Sequence, residues 1–223
     1  MNAIRRYLRS HTTFAFRSSI HRVGKEWQMS RHHRAAVKQA PRFLENLPIQ
    51  LNLGSGPNVK PGWLNIDLSH PKADLLLDLC EPWPFPDESV SFIYSEHALE
   101  HFEIHREVPH FLSESLRVLK AGGVFDVGVP DTAWPMRAYG NVNDGYWRLA
   151  KDWHPANCET QMDHINYHFR QGVEHKFAWD EETLTRTFER HGLQNILRRE
   201  FDPLLDTESR RAGTLYMRGN KRL

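Results

Sequence analysis

The stretch LNLGSGPNVKPGWLNID, residues 51–67, contains an apolar run, a glycine pair and a second apolar run that ends in an acid. This spacing is typical of a strand, a tight turn and a second strand. Glycines in the turn let the backbone approach a ligand closely and adopt positive φ. Taken alone, GSG fits a plain turn as well as a ligand cradle, so the rest of the chain has to distinguish the two.

Short apolar runs alternate with helical segments after Pro48, which is typical of a parallel sheet with crossovers. Strands are predicted at 49–53, 63–67, 73–79, 90–94, 124–129, 193–201 and 214–218. Helices are predicted at about 97–101, at about 109–119, where AGG ends the helix, and in DEETLTRTFERHG, where Asp180 is the N-cap and Gly192 the end. The sequence therefore predicts one α/β domain over residues 49–223.

Two segments stand outside this alternation. Residues 132–178 collect aromatic and histidine side chains and are interpreted as a cap insertion over the ligand-bearing edge of the sheet.

Residues 1–48 contain ten Lys and Arg residues and two acids, which gives this segment a net charge of +8 and leaves −7 for the rest of the chain. This basic helical arm could contact an anionic membrane surface. A solvated helix packed on the domain, contact with a polyanionic ligand and a mitochondrial presequence are the alternatives.

Composition limits the class of protein. At 223 residues the chain can bury a sizeable core in one domain. Its two cysteines, Cys80 and Cys158, lack paired spacing, and no secretory segment is present, so free thiols in a reducing cytosol are expected. No run approaches the roughly 18 apolar residues of a membrane helix. We expect a cytoplasmic protein, with peripheral contact at the inner face of the membrane as an option.

Three predicted strand ends carry residues suited to a nucleoside. Asp67 ends the second strand, where a carboxylate can accept hydrogen bonds from both hydroxyls of a ribose. Asp78 and Leu79 follow the third strand and are placed to face an adenine. Because these ends converge on one crevice, the pattern favours a ligand cradle over a plain turn at GSG.

Read together with WPFPDESVSFIYSEH and RVLKAGG, these segments resemble the class I S-adenosylmethionine-dependent methyltransferases. The resemblance is closest to the type 11 group found among polysaccharide and lipopolysaccharide genes, strong over about 51–131 and weaker over 179–221. It implies a Rossmann-like fold with a mostly parallel seven-stranded sheet whose final strand is reversed, and S-adenosylmethionine as cofactor. One departure is clear: residues 57–62 leave little room for the usual helix after the glycine turn, and Asn58 replaces a third glycine.

The resemblance also implies a cofactor site. Its predicted residues are Leu53, Gly54, Ser55, Gly56, Asp67, Leu68, Asp78, Leu79, Glu96 and His97. The glycine turn would border the methionine part of the cofactor, Asp67 would hold the ribose, and Asp78 and Leu79 would flank the adenine. Glu96 or His97 would close the pocket.

The segment HALEH, residues 97–101, places two imidazoles and a carboxylate on one face of a predicted helix. It resembles the ExxEH element of ubiquinone-pathway and small-RNA 2′-O-methyltransferases, which bind a divalent ion, with His97 in place of the first Glu. His97, Glu100 and His101 are therefore candidate ligands for a divalent cation such as Mg²⁺. Capping of the helix by hydrogen bonds of Glu100 and His101 is the alternative.

Histidines are also the candidate bases for the proton of a hydroxyl acceptor, because an imidazole with a pKa of about 6.5 suits proton removal at neutral pH. The candidates are His97, His101, His154 and His164, with Asp163, His168 and His175 as further cap residues.

The leading prediction is O-methylation of a saccharide or glycan hydroxyl. The alternatives are methylation of a quinone, lipid-like or other small acceptor at the membrane surface, and a non-catalytic cofactor-binding scaffold. The sequence does not favour a nucleic-acid partner.

Overall fold

A computed structural model describes residues 9–45 and 48–223 of the chain. Its strands are β1 (Ile49–Leu53), β2 (Leu64–Asp67), β3 (Leu75–Leu76), β4 (Val90–Glu96), β5 (Leu119–Pro130), β6 (Leu193–Arg199) and β7 (Thr214–Lys221). They form one seven-stranded sheet in the order β3-β2-β1-β4-β5-β7-β6. The pairs from β3 to β5 are parallel, whereas β7 is antiparallel to both β5 and β6. The predicted mostly parallel sheet with a reversed final strand is confirmed.

The helices flank the sheet or form the cap. They are α1 (Phe14–Gln39), α2 (Glu107–Val118), α3 (Ala133–Ala138), α4 (Gly145–Trp153), α5 (Gln161–Arg170) and α6 (Glu181–Arg190). Helix α2 buries Val108, Phe111, Leu112, Ser115 and Val118 at the spacing of one helical face. Asp180 accepts a hydrogen bond from the Thr183 amide at 2.8 Å and caps α6, as predicted.

The main core lies between the sheet and these two helices. Phe111 of α2 and Phe188 of α6 each pack edge-on against Phe125 of β5, at centroid distances of 6.1 and 5.4 Å. All three rings are fully buried or nearly so. Burial of a phenylalanine side chain contributes roughly 1.5–3 kcal/mol, so this cluster fixes β5 beneath its helices.

Three predicted elements are wrong in extent or type. The third strand is only two residues long. Residues 97–101 do not form a helix, because His97 has φ of 55° and only Leu99–His101 makes a single 3₁₀ turn. AGG does not end the preceding helix: α2 stops at Val118, Leu119 is extended and pairs with Val90, and AGG lies inside β5.

The short connection at residues 57–62 contains turns and no helix, as the sequence predicted. A buried polar network holds it instead. The Asn52 side-chain amide donates to the Asn65 side chain at 2.9 Å and to the Asn58 carbonyl at 3.0 Å, and the Lys60 amide donates to Asn65 at 2.7 Å. Satisfied buried amides of this kind fix a single loop conformation without a helical crossover.

The C-terminal strands are joined by buried charges. Arg199 of β6 donates three hydrogen bonds to Asp126 of β5 and two to Asp206, and Arg218 of β7 donates to Asp126 at 2.6 Å. Both carboxylate side chains are fully buried. Because each charge is paired, this cluster ties the reversed strand to the parallel part of the sheet.

Helix α1 belongs to the predicted basic arm, of which residues 1–8 and 46–47 lie outside the described part. It buries only Ala36 along its length. No helix within residues 9–45 and 48–223 is long and apolar enough to cross a membrane.

Candidate active site

The backbone conformation of the turn after β1 explains why glycine occupies positions 54 and 56. Gly54 and Gly56 have φ of 66° and 48°, in the left-handed region that favours glycine. A Cβ on Gly54 would lie 2.5 Å from the Cβ of Ala98, closer than real side chains approach. The turn after β1 and the turn after β4 are therefore in direct contact, and only glycine fits at position 54.

The Asp67 carboxylate at the end of β2 fixes this turn. Its Oδ2 accepts a hydrogen bond from the Gly56 amide at 2.9 Å, and Oδ1 accepts from the Ser69 and His70 amides at 2.9 and 2.8 Å. A carboxylate offers about four lone-pair sites, so Oδ2 keeps capacity for a ligand hydroxyl. Three amide donors hold the negative charge in place at the rim of the crevice.

A cavity of about 400 Å³, called here the cofactor cavity, opens at these strand ends. Its volume lies in the range typical of small-molecule sites. Seven predicted cofactor residues line it: Gly54, Gly56, Asp67, Leu68, Asp78, Leu79 and His97. The other lining residues are Leu77, Cys80, Ala98, His101, Phe102, Glu107, Lys176 and Arg210. Of these, Ala98 and His101 belong to the predicted HALEH segment, whereas Lys176 and Arg210 come from the C-terminal third of the chain, where no local motif marks them.

Three predicted cofactor residues lie behind the wall and not in it. Leu53 is fully buried and Ser55 nearly so. The Glu96 carboxylate accepts hydrogen bonds from the Thr207 amide and the Tyr216 hydroxyl, both at 3.2 Å. It also faces the Arg210 guanidinium at 3.4 Å. These residues do not line the cavity, and their predicted contact with a cofactor stays a prediction.

A second cavity of about 250 Å³ adjoins the first and shares His97 and Arg210 with it. We call it the histidine cavity because His97, His154, His168 and His175 line it. Trp153 and Tyr167 supply aromatic walls, and the remaining lining residues are Pro130, Gln171, Ser209, Arg210, Ala212 and Gly213. Helices α4 and α5 of the cap contribute one wall, and the loop before β7 contributes the other.

The cap histidines separate into lining and supporting residues. His154 Nδ1 lies 2.9 Å from His164 Nδ1, and His164 stands behind it, outside the lining. Asp163 forms a capping box with Thr160 at the start of α5, so its role is structural. His168, by contrast, reaches the cavity and its Nδ1 lies 3.2 Å from the Tyr146 hydroxyl.

Burial sets the protonation of the lining imidazoles. It lowers the pKa of His154, His168 and His175 to about 4 and also lowers the pKa of His97 well below its usual value, where the Arg210 charge adds to the effect. Desolvation disfavours the charged form of an imidazole. At neutral pH these rings are therefore uncharged and able to accept a proton.

Glu100 is a buried acid that lies close to three imidazoles. Its side chain is 2% exposed, and neither carboxylate oxygen has a hydrogen-bond partner in the described part of the chain. Its Oε1 lies 3.8 Å from His97 Nδ1 and 4.0 Å from both His101 Nε2 and His175 Nε2. Burial raises the pKa of this carboxyl to about 8.

The end of the cap brings His175 to Glu100. The amides of Lys176 and Phe177 donate to the Glu100 carbonyl at 2.8 and 3.2 Å. Glu100, His101 and His175 then form a cluster whose ligand atoms all lie within 4.8 Å of one another. His97 was predicted in this group but lies outside it, because residues 97–101 are not an α-helix and its Nε2 is 2.8 Å from Thr214 Oγ1.

Comparison with known proteins matches this architecture. Residues 63–127 match the family described as Methyltransferase domain. A SAM-dependent methyltransferase from Archaeoglobus fulgidus is similar at a TM-score of 0.50 and 13% identity, over 88% of this chain and 94% of that one. One from Thermotoga maritima, described as a possible histamine N-methyltransferase, gives a TM-score of 0.45 and 16% identity, over 93% and 98% of the two chains.

No curated protein matches the sequence. The Archaeoglobus fulgidus structure shares the fold, and the family match covers β2 to β5, which contribute most of the cofactor cavity. The predicted resemblance is supported in two ways: residues 63–127 match the methyltransferase family, and the chain shares the fold of a SAM-dependent methyltransferase.

Proposed function

We propose that S-adenosylmethionine binds in the cofactor cavity and that the histidine cavity holds a saccharide or glycan hydroxyl, to which the enzyme transfers the methyl group. The observation that carries this proposal is the junction of the two cavities at His97 and Arg210. A methyl donor on one side and a hydroxyl on the other would face each other there. In-line placement of two reactants is the main contribution that a methyltransferase has to make.

The cofactor cavity has the parts that a nucleoside with an amino-acid tail requires. Asp67 presents a fixed carboxylate for a ribose hydroxyl, and Leu77, Leu79 and Phe102 give an apolar wall for an adenine. The Gly54 turn would leave room for the methionine part. This assignment follows the predicted roles of Asp67, Asp78 and Leu79.

The transfer moves the sulfonium methyl to the acceptor oxygen, with cleavage of the S–C bond, formation of the O–C bond and loss of the hydroxyl proton. The uncharged rings of His154, His168 and His175 are the bases that can take this proton. In the site without a bound cation His175 is the favoured base. Its Nδ1 lies 3.2 Å from the His168 carbonyl, which leaves Nε2 to take the proton, and ionisation of Glu100, 4.0 Å away, would stabilise the imidazolium.

The lining of the histidine cavity supports a saccharide acceptor. Trp153 and Tyr167 offer aromatic faces against which a sugar ring can pack. Gln171 and Ser209 offer polar groups for its hydroxyls. The glycan class additionally follows from the resemblance to enzymes of polysaccharide gene clusters.

Asp67→Ala is expected to weaken S-adenosylhomocysteine binding at least about ten-fold, since it removes a polar ligand contact and the anchor of the Gly56 amide. Isothermal titration calorimetry on the full chain measures this. Asp152→Ala, at an exposed acid of the cap, is the matched control and should bind as the wild type does. Equal affinity of the Asp67 variant and the wild type would refute the placement of the ribose.

The acceptor is tested with extracts of a deletion strain, incubated with the purified enzyme and S-adenosylmethionine carrying a deuterated methyl group. Mass spectrometry should find the label on a saccharide oxygen. His175→Gln should slow this transfer at least about 100-fold while leaving S-adenosylhomocysteine affinity intact. His105→Gln, at an exposed histidine that lines neither cavity, is the control and should react as the wild type does. Label on nitrogen or carbon would contradict O-methylation, and cofactor binding without turnover would favour the scaffold alternative.

We further propose that Glu100, His101 and His175 hold a divalent cation. Two imidazoles and one carboxylate form a donor set that suits Zn²⁺ and other transition ions better than the predicted Mg²⁺, which prefers oxygen ligands. The unpartnered buried carboxylate of Glu100 supports this proposal. When bound, such a cation would polarise the acceptor hydroxyl, because His101 lines the cofactor cavity and His175 the histidine cavity. This is an alternative to His175 as base, since the ring nitrogen that binds the cation cannot also take the proton.

Titration of the EDTA-treated full chain with ZnCl₂, MnCl₂ and MgCl₂ tests the cation. One equivalent of Zn²⁺ or Mn²⁺ should bind to the wild type and to His97→Gln, whereas Glu100→Gln should lose the site. Binding that survives Glu100→Gln, or no binding to the wild type, would leave Glu100 as a buried neutral carboxyl.

A membrane-surface acceptor is the second candidate, because α1 carries an exposed apolar stripe. Phe16, Ile20, Val23 and Trp27 lie three or four residues apart and are 52, 51, 68 and 62% exposed. Basic residues accompany the stripe, among them Arg17, Arg22, Lys25, Arg31 and Arg34. A basic helix with such a face binds anionic bilayers. A quinone or other lipid-like molecule would then be the acceptor.

Sedimentation with vesicles of three parts phosphatidylcholine to one part phosphatidylglycerol measures this contact. Ile20→Ser/Trp27→Ser should remain in the supernatant, whereas the wild type pellets. Val173→Ser, at an exposed apolar residue of the cap, should behave as the wild type does. A wild type that stays in the supernatant would remove the membrane candidate.

A further inference from the structure

We infer that the acceptor carries a phosphate ester, and that this group binds in an arginine-lined cavity beside the histidine cavity. The inference rests on the proposed function, since it assigns the part of the acceptor that lies away from the transferred methyl group. The cavity measures about 410 Å³, and we call it the arginine cavity because Arg137, Arg198, Arg199 and Arg211 line it. The part of the chain outside the basic arm has a net charge of −7, so four arginines at one cavity are a marked local departure.

The four arginines differ in how strongly they are bound by acidic side chains of the protein. Arg199 is saturated by Asp126 and Asp206 and is structural. Arg198 has an ion pair with Glu181 at 3.1 Å. These two residues contribute little free positive charge to a ligand.

Arg137 and Arg211 have the longest ion pairs of the four. The Arg137 guanidinium lies 3.8 Å from Asp131, and that of Arg211 lies 3.5 Å from Glu208. Their side chains are 65 and 63% exposed. Neither guanidinium is hydrogen-bonded to any residue within 9–45 or 48–223, and Arg211 is oriented by stacking on Phe201 at 5.0 Å. Two open guanidinium forks at one cavity match the oxygens of a phosphate.

Two acids, Asp131 and Glu200, also line the cavity. Asp131 is already engaged, because it accepts a hydrogen bond from the Ala133 amide at 3.0 Å. Arg199 is neutralised by buried acids outside the lining, and each of the other three arginines has an acidic partner, so the arginine cavity carries no positive excess. A phosphate would bind by replacing the long ion pairs of Arg137 and Arg211 with direct hydrogen bonds.

Gly213 joins the arginine cavity to the histidine cavity, because it lines both. It has φ of 82°, and a Cβ there would lie 3.0 Å from the Trp153 ring. The next residue, Thr214, lines the arginine cavity, and its Oγ1 is 2.8 Å from His97 Nε2. One molecule can therefore place a hydroxyl near His97 and a phosphate between Arg137 and Arg211. A sugar phosphate, a nucleoside diphosphate sugar and a lipid-linked saccharide share this chemistry.

The test uses inorganic pyrophosphate and glucose 1-phosphate as probes, titrated by calorimetry into the full chain saturated with S-adenosylhomocysteine. Both should bind to the wild type, and Arg137→Gln/Arg211→Gln should weaken binding at least about ten-fold. Arg148→Gln, at an exposed arginine of the same cap, is the matched control and should bind as the wild type does. All three proteins should show the same thermal midpoint, because the substituted side chains are exposed.

The outcomes separate this inference from the proposed function. Failure of S-adenosylhomocysteine to bind to the wild type would reject the cofactor cavity itself. Normal binding of S-adenosylhomocysteine with no probe binding, or with equal probe binding to the double variant, would overturn the phosphate inference alone. Sedimentation with phosphatidylglycerol vesicles that depends on Arg137 and Arg211, without binding of either soluble probe, would also overturn it and would assign the arginines to a lipid surface.

Discussion

The hydrogen bond from the Gly56 amide to the Asp67 carboxylate, at 2.9 Å, is the constraint on which the site depends. It connects the turn after β1 to the end of β2, the two elements whose sequences first suggested a ligand cradle. Gly54, inside the same turn, contacts Ala98 so closely that the segment after β4 is held at a fixed distance. One carboxylate and one glycine therefore position three of the strand ends that surround the cofactor cavity.

The C-terminal end of the cap contacts the turn after β4 and so completes the site. Backbone hydrogen bonds from residues 176 and 177 to Glu100 close the insertion over the turn that follows β4. A parallel bridge between Asp131 and Trp179 pins the two ends of the cap together at its base. The histidine cavity thus lies between a rigid sheet edge and a cap with a small core of its own around Tyr146 and Trp147. Under the proposed function, the cap is the part of the molecule that would select the acceptor.

The elements that the sequence predicted well are those with local causes. The alternation of apolar residues defined β1, the GSG turn fixed its end, and Asp180 and Gly192 bounded α6. The failure at residues 97–101 has a long-range cause: His97 is held at positive φ while its ring meets Thr214 of β7, a contact between distant parts of the chain. For the same reason His175 could not be assigned to Glu100, because only the fold brings the end of the cap to that carboxylate. Arg210, which lines both cavities, carried no local signal in the sequence.

A crystal structure of the full chain with S-adenosylhomocysteine would show whether the proposed site binds the cofactor. We expect a ribose hydroxyl on Asp67, an adenine against Leu79 and Phe102, and a sulfur atom that faces the histidine cavity at His97. A nucleoside bound elsewhere, or a sulfur atom directed away from His97, would contradict it.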